Sequence, residues 1–484
     1  MPLVVGVDLG TQSCKAVACD EQLRVIGDHQ EPIATELPQP GWAEQDPLAW
    51  EVALERALVG ALAGRSDVAA IAIAGQLDGC VPVDAAIRPL HRALIWQDRR
   101  AIEHADRIDR ARLHAITGQV ADPSHMAPKI RALRHVGGAR FHQPVSYLVA
   151  RLTGAHVLDP SHASTTMLYD LAAGAWSREL LAAFEVEASE LPEVRPATAI
   201  AGTLARSIAG IPAGTPVAVG TGDDFATPLG AGVCAPGQLV CAIGTAEVVG
   251  ALSPRALLDI AAARAETDPW RALPEPMVET HAYPTGAYFI ENPGWLSGGA
   301  IRWATRLLGL ASDAELDALA ASAPPGAGGV TFVPALAGAM TPAWRPAARA
   351  AFDGLTAAHD RAHVARAVLE GLAFACRDVA ARIAALGLTA TSALVLGGGA
   401  RSATWTQLRA DALGLPHEVA ARTDTCAVGA AMIAAVAAGL IPDLAAACAL
   451  APPPAATYQP RGSLDDAYAH YRRLVAHMLE YDRS

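Results

Sequence analysis

The chain is poor in three features that would each point to a particular chemistry. No two of its eight cysteines (Cys14, Cys19, Cys80, Cys234, Cys241, Cys376, Cys426 and Cys448) have C-x-x-C spacing, and no His/Cys cluster accompanies them. A dithiol redox motif and a thiolate zinc site are thereby excluded, and the thiols read as small buried hydrophobes of a reducing compartment; a cytoplasmic location is expected. Basic residues are in deficit, 37 Lys and Arg against 49 Asp and Glu, for a formal net charge of −12. That argues against non-specific binding of nucleic acid or anionic membrane, which needs a cationic surplus. A phosphorylated small ligand is still admitted, because local groups hold it. Long apolar runs are also missing. The longest uncharged stretch, Thr425 to Pro442, is too short and too rich in Ala and Gly for a membrane span and reads as a buried helix. Asp8 already sits inside the first strand, so no secretory leader is expected.

What is present is enough apolar material, 52% of 484 residues, for substantial cores, and the length suggests two or three domains, with two expected. The most informative stretch is Val217-Ala-Val-Gly-Thr-Gly-Asp-Asp-Phe225. A buried strand over 216–219 ends in Gly220, Thr221 and Gly222, and two carboxylates follow, Asp223 and Asp224. Ligands of open α/β sheets lie where strands end. Glycine lets the backbone approach a ligand, and a carboxylate there can take a proton from an attacking hydroxyl. An Asp-rich turn with no ligand is the plain alternative.

The N-terminus predicts a hairpin: strand Leu3 to Val7, turn Asp8-Leu-Gly-Thr-Gln-Ser13, returning strand Cys14 to Asp20. The amides and hydroxyls of such a turn, with Gly10, Thr11 and Gln12, can cradle phosphate, Asp8 can hold Mg²⁺, and Lys15 could reach the same phosphates. Asp46-Pro47 opens a helix whose Trp50, Leu54, Leu58 and Leu62 mark its buried face. A strand from Val68 to Ala74 runs into Gln76, Leu77 and Asp78, and Ala93 to Trp96 into Gln97, Asp98 and Arg99. A surface ion pair is the plain reading of Asp98 and Arg99. Residues 101 to 210 read as mostly helical, with Lys129 and His162 as structural polar residues. A second hairpin follows, Gln238 to Ile243, turn Gly244-Thr245-Ala246, and return over Glu247 to Ala251, which suggests a duplicated fold. Near the end come a strand Ser392 to Leu396, three glycines (Gly397 to Gly399), Ser402, and a helix Ala403 to Leu413 stopped by Gly414. Strand, glycines and helix suit a nucleotide, although the dinucleotide spacing is absent. A helix over Cys426 to Ala438, with Gly429 at a close contact, a linker at Pro452-Pro-Pro454 and a helix over Leu464 to Tyr481 close the chain.

Taken together and in order, Gly6-Val-Asp-Leu-Gly-Thr11, Gly41-Trp-Ala-Glu-Gln-Asp-Pro47, Trp96-Gln-Asp-Arg99, Ala127-Pro-Lys129, Gly220-Thr-Gly-Asp223, Ile243-Gly-Thr245, Arg366-Ala-Val-Leu-Glu-Gly371 and Leu396-Gly-Gly-Gly-Ala-Arg-Ser402 resemble the FGGY family of carbohydrate kinases. The likeness spans nearly the whole chain and is greatest to members that phosphorylate xylulose. It implies an α/β fold of two ribonuclease-H-like domains of the actin and sugar-kinase superfamily with an interdomain cleft. Residues 1–236 would carry the sugar site, first phosphate turn and catalytic Asp, and residues 237–484 the adenosine site. It implies ATP and Mg²⁺ and a small sugar or polyol as partner, with no nucleic acid and no membrane; a homodimer is left open. By the resemblance, Asp223 is the catalytic base and shares the metal side with Asp8. Gln76, Leu77, Asp78, Trp96, Asp98 and Asp224 join Asp223 in meeting the sugar. Gly10, Thr11, Gln12, Lys15, Gly244, Thr245, Gly398, Gly399 and Ser402 meet ATP. The chain departs from the family pattern at Asp78, where xylulose kinases usually have His, at Gly338-Ala-Met340, where Gly-Glu-Arg is common, and at Ala132 in place of an aromatic. The rival reading from another class is a non-catalytic actin-like ATP-binding switch.

Overall fold

A computed structural model describes residues 2–258, 278–339, 345 and 347–481. The chain divides into two compact units, and each has its own mixed sheet.

The first unit comprises residues 1–234, 280–289 and 424–452. It begins with the hairpin β1 (Leu3–Leu9) and β2 (Ser13–Cys19), followed by β3 (Val25–Pro32). Helix α1 (Pro47–Leu62) starts where Asp46 caps the Leu48 amide and proline occupies the first turn, and it buries Trp50, Leu54, Leu58 and Leu62. The other elements used below are β4 (Val68–Gly75), α2 (Met126–Ala132), α3 (Pro144–Thr153), α4 (Pro160–Ser164), β5 (Ile200–Thr203), β6 (Pro216–Ala218), the two-residue β7 (Thr221–Gly222) and α5 (Asp223–Gly230). The sheet runs β5-β6-β4-β1-β2-β3, with β7 also paired to β4. Strands β1 and β4 carry near-continuous apolar runs because both faces are covered. The register brings three parallel strand ends level: Leu9 pairs with Gly75, and Gly222 pairs with the same Gly75. Asp8 and Asp223 therefore leave one end of one sheet.

The second unit, residues 235–279, 290–423 and 453–484, repeats this start. Strands β8 (Gln238–Ile243) and β9 (Ala246–Ser253) form its hairpin. They are followed by β10 (Tyr288–Leu296), α6 (Gly298–Leu307), α7 (Arg361–Ala385), β11 (Ser392–Leu396), α8 (Ala403–Leu413) and β12 (His417–Val419). The chain then returns to the first unit as α9 (Thr425–Ala437), and ends in the second with β13 (Ala456–Tyr458) and α10 (Asp465–Tyr481). The order β10-β9-β8-β11-β12-β13 repeats that of β3-β2-β1-β4: an antiparallel hairpin whose first strand is parallel to the next strand over. The expected duplication is thus observed, and the fold is two α/β domains of the ribonuclease-H-like type.

Residues 424–452 pack in the first unit, because a mostly apolar helix finds its buried face against β1, β4 and α5. Two expectations need correction. The strand expected over Ala93 to Trp96 is only Ala93–Leu94. The mostly helical region 101–210 mixes short helices with short strands. No helix among the described residues is long and apolar enough to cross a membrane.

Candidate functional site

The first turn closes on itself. The Gly10 amide donates to the Ser13 carbonyl at 2.9 Å, so it is not available to a ligand. The amides of Thr11 and Gln12 have no protein partner among the described residues, and they are the donors this turn can offer an anion. Side chains lock the turn from outside: Trp96 Nε1 donates to Thr11 Oγ1 at 2.9 Å, and Gln45 Nε2 to the Thr11 carbonyl at 2.6 Å. Lys15 faces two carboxylates, Asp28 at 3.8 Å and Asp424 at 3.9 Å.

Asp8 has a partner the sequence did not flag. The thiol of Cys426, in the first turn of α9, donates to Asp8. Burial, and then the two carboxylates of Asp8 and Asp223, push that thiol well above its usual range. Loss of solvent raises Asp8 to about 6. A poorly solvated carboxylate is stabilised by a nearby cation, so Asp8 and Asp223 fit the donor set of a hard divalent ion such as Mg²⁺. Asp223 and Asp224 occupy the first turn of α5, where the helix dipole favours negative charge. The Asp224 amide donates to Asp223 Oδ1 at 3.2 Å.

The segment expected to meet the sugar lies beside Gly222. A Cβ on Gly222 would stand 2.1 Å from Leu77 Cδ2, so glycine lets Leu77 pack over it in this rotamer. Gln76 is buried, and its Nε2 donates to Gln45 Oε1 at 2.8 Å, while Trp50 Nε1 donates to the same oxygen at 2.9 Å. Gln45 thus ties the Thr11 turn to Gln76. Asp78 has φ +61°, a left-handed conformation that Asp tolerates better than most residues. Its backbone is clamped on both sides: its amide donates to Gln143 Oε1 at 3.1 Å and its carbonyl accepts from Lys129 Nζ at 2.7 Å. Lys129 also donates to the Ser124 carbonyl. Burial lowers Lys129 to about 8. Asp78 Oδ1 lies 3.2 Å from His125 Nδ1. No protein partner is recorded for Asp78 Oδ2 among the described residues, which leaves an acceptor for a hydroxyl.

Asp98 does not join this group. Its fully buried carboxylate accepts from the Ala43 amide at 2.7 Å and from Arg100 through Nε and Nη2. Arg100 stacks over Trp42 at 3.6 Å, and Arg99 pairs with Asp122. The polar groups after Ala93–Leu94 stitch the chain to itself.

In the second unit, the Gly244 amide donates to the Ala246 carbonyl at 2.8 Å, and the Thr245 amide has no protein partner among the described residues. The Thr245 carbonyl accepts from the Ser297 and Gly299 amides, each at 3.0 Å. Arg302, an exposed cation absent from the expected set, donates to Thr245 Oγ1 at 3.0 Å. The three glycines divide by role. A Cβ on Gly397 or Gly399 would strike Ile243, at 2.5 and 2.3 Å, so both are required by packing between the ends of β8 and β11. Gly398 has nothing within 4 Å and faces open space where a flat ligand could lie. The Ser402 hydroxyl caps α8, accepting from the Trp405 amide at 3.0 Å, and bonds Asp317. Met340 lies outside the described residues.

The models of two domains of the FGGY family of carbohydrate kinases match this chain, the N-terminal domain over residues 3–230 and the C-terminal domain over 239–438. The chain is 33% identical to xylulose kinase of Klebsiella pneumoniae over 451 residues, 90% of each chain. It is 34% identical to glycerol kinase of Alkalilimnicola ehrlichii over 466 residues, 91% of each. In structure it is similar to a xyloylose kinase from Brucella ovis, with a TM-score of 0.89 and 29% identity over 99% of this chain and 100% of that one.

Proposed function

The chain belongs to the FGGY family of carbohydrate kinases and is an ATP-dependent sugar or polyol kinase; from that premise we propose that it phosphorylates a primary hydroxyl of a five-carbon ketose, D-xylulose to D-xylulose 5-phosphate. The observation that carries the proposal is the strand register that brings Asp8 and Asp223 to the same end of one sheet, beside a loop that keeps one Asp78 oxygen open. Asp223 accepts the proton of the acceptor hydroxyl, help worth roughly 10² to 10⁴ in rate. Asp8 and Asp223 would hold Mg²⁺, which when bound would supply neutralisation of charge on the phosphates of ATP. The amides of Thr11, Gln12 and Thr245 orient phosphate oxygens, and the Gly398 face receives the adenosine. Gln76, Leu77, Asp78 and Asp224 position the sugar, with Trp96 behind the Thr11 hydroxyl. Positioning and charge neutralisation supply most of the remaining rate.

One observation favours a second substrate reading. The glycerol kinase relative matches as well as the xylulose kinase one, and Asp78 only accepts hydrogen bonds, which suits a hydroxyl better than a ketose carbonyl. A polyol or another pentulose is therefore the alternative. A coupled ADP-release assay against ketopentoses, pentitols, tetritols, hexuloses and glycerol decides. Highest kcat/KM on D-xylulose supports the first reading, and highest kcat/KM on a polyol replaces it. ADP release that is indifferent to every sugar would instead favour an ATP-binding switch.

A further inference from the structure

The segment that carries Asp223 has a short ladder, and just before it the Val219 and Gly220 amides donate to the Ala199 and Ala197 carbonyls at 3.0 and 3.1 Å. Strand β7 has two residues, and its ladder to β4 consists of Thr221 opposite Ala74 and Gly222 opposite Gly75. It is flanked by Gly220, at φ +79°, where a Cβ would stand 2.0 Å from the Ile73 carbonyl. In Gly220-Thr-Gly222 only Thr221 has a side chain, so any side-chain anchor for this segment must pass through its hydroxyl.

That hydroxyl has one destination. Thr221 Oγ1 donates to Asp159 Oδ2 at 2.8 Å. The other oxygen of Asp159 accepts from the amide of His162 at 3.1 Å and lies 2.9 Å from its Nδ1. A carboxylate only accepts, so Nδ1 carries the proton in this contact. His162 Nε2 has no partner among the described residues. All three side chains are fully or almost fully buried, where a charge-assisted bond is stronger than at the surface and an unmatched group costs more.

The same short helix reaches the acceptor segment. Gln143 Nε2 donates to the His162 carbonyl at 2.9 Å and to Thr165 Oγ1 at 3.1 Å, and Gln143 Oε1 accepts the Asp78 amide. Helix α4 with its cap Asp159 is therefore a common footing. Asp159 fixes Thr221, two residues before Asp223, and His162 fixes Asp78 through Gln143.

We propose that Asp159 and Thr221 are positioning residues for phosphoryl transfer: their buried hydrogen bond holds the Gly-Thr-Gly segment so that Asp223 stands in register with an acceptor presented at Asp78. This rests on the reading of Asp223 as base and Asp78 as sugar-facing. The bond touches neither substrate nor phosphate, so its loss acts on turnover through the placement of Asp223, and a misplacement of about 1 Å can cost on the order of 10²-fold.

The test is steady-state kinetics at 25 °C, on the best sugar of the panel, for Thr221→Val, Thr221→Ser, Asp159→Asn and the Thr221→Val/Asp159→Asn double variant, with a thermal melt of each. Thr221→Val keeps the shape and removes the donor. It is expected to lose at least about tenfold in kcat, with the KM for ATP unchanged within about threefold, while Thr221→Ser stays near wild type. The double variant is expected to be no slower than the slower single variant, as for two residues acting through one bond. Thr221→Val with wild-type kcat and only a lower melting temperature would overturn the inference, as would fully multiplicative losses in the double variant. If Thr221→Val does not fold, Asp159→Asn carries the same thresholds. Asp223→Asn, assayed alongside, separates the two failures. An active Asp223→Asn overturns the base assignment and this inference with it, whereas a dead Asp223→Asn beside an indifferent Thr221→Val overturns this inference alone.

Discussion

Asp223 and Asp224 present the same functional group on adjacent residues, and only their settings separate them. Asp223 follows Gly222 directly, at the strand end that lies level with the end of the strand carrying Asp8. Asp223→Asn should therefore lose on the order of 10²-fold or more in kcat while still binding ATP, and Asp224→Asn should act mainly on the KM for sugar. Turnover by coupled ADP release and nucleotide binding by calorimetry check both; a dead Asp224→Asn beside an active Asp223→Asn reverses the roles. Lys129 gives a pH signature. Its folded-state pKa of about 8 lies below the unfolded 10.5, so between those values the unfolded chain binds more protons and stability rises with pH. The rise is up to about 3 kcal/mol from a shift of this size. Urea unfolding at pH 8 and pH 10.5 should show wild type gaining on Lys129→Met over that interval, and parallel behaviour of the two proteins would contradict it. Asp98 shows where residue patterns mislead. It stands after a strand, as Asp78 does, but Arg100 two residues on and the Ala43 amide consume its oxygens. Nothing local in the sequence distinguishes a carboxylate turned inward from one turned to a ligand.

Hairpins and capped helices were the most legible elements. β8 and β11 and α8 lie where apolar runs, Ser402 and Gly414 place them, because their signals are local. The seat of α9 was not legible, since only a tertiary contact decides it. Even so, Gly429 was readable as a close-contact position: a Cβ there would stand 2.0 Å from the Ala226 carbonyl, and one on Gly6 would stand 1.9 Å from the Ala427 carbonyl. Backbone is what each would strike, so Gly429→Ala should destabilise by about 1–3 kcal/mol or more, read as a fall in urea midpoint. Gly398→Ala, with open space around it, should leave the midpoint unchanged and raise the KM for ATP. An unchanged KM there would remove Gly398 from the nucleotide face. Arg302 was not legible, because it comes from a helix more than fifty residues past the turn it meets, and the sequence did not show that Gly10 and Gly244 spend their amides closing their turns and leave the Thr11, Gln12 and Thr245 amides as the donors.

At the scale of the molecule, the first unit is not a stretch of sequence. Residues 424–452 complete it, and α9 covers β1, β4 and α5. A fragment of residues 1–236 should therefore lack a cooperative urea transition, although its family match is almost complete. A sharp transition in that fragment would show that α9 is dispensable. The discontinuity also sets a timetable for biosynthesis. When residue 234 leaves the ribosome, the apolar face meant for α9 has no cover, and about 190 further residues must be made first, an interval of ~10–40 s at roughly 5–20 residues per second. During that wait the nascent chain exposes β1 and β4, the strands whose ends present Asp8 and Gln76. The first unit therefore cannot be completed until most of the second has been translated.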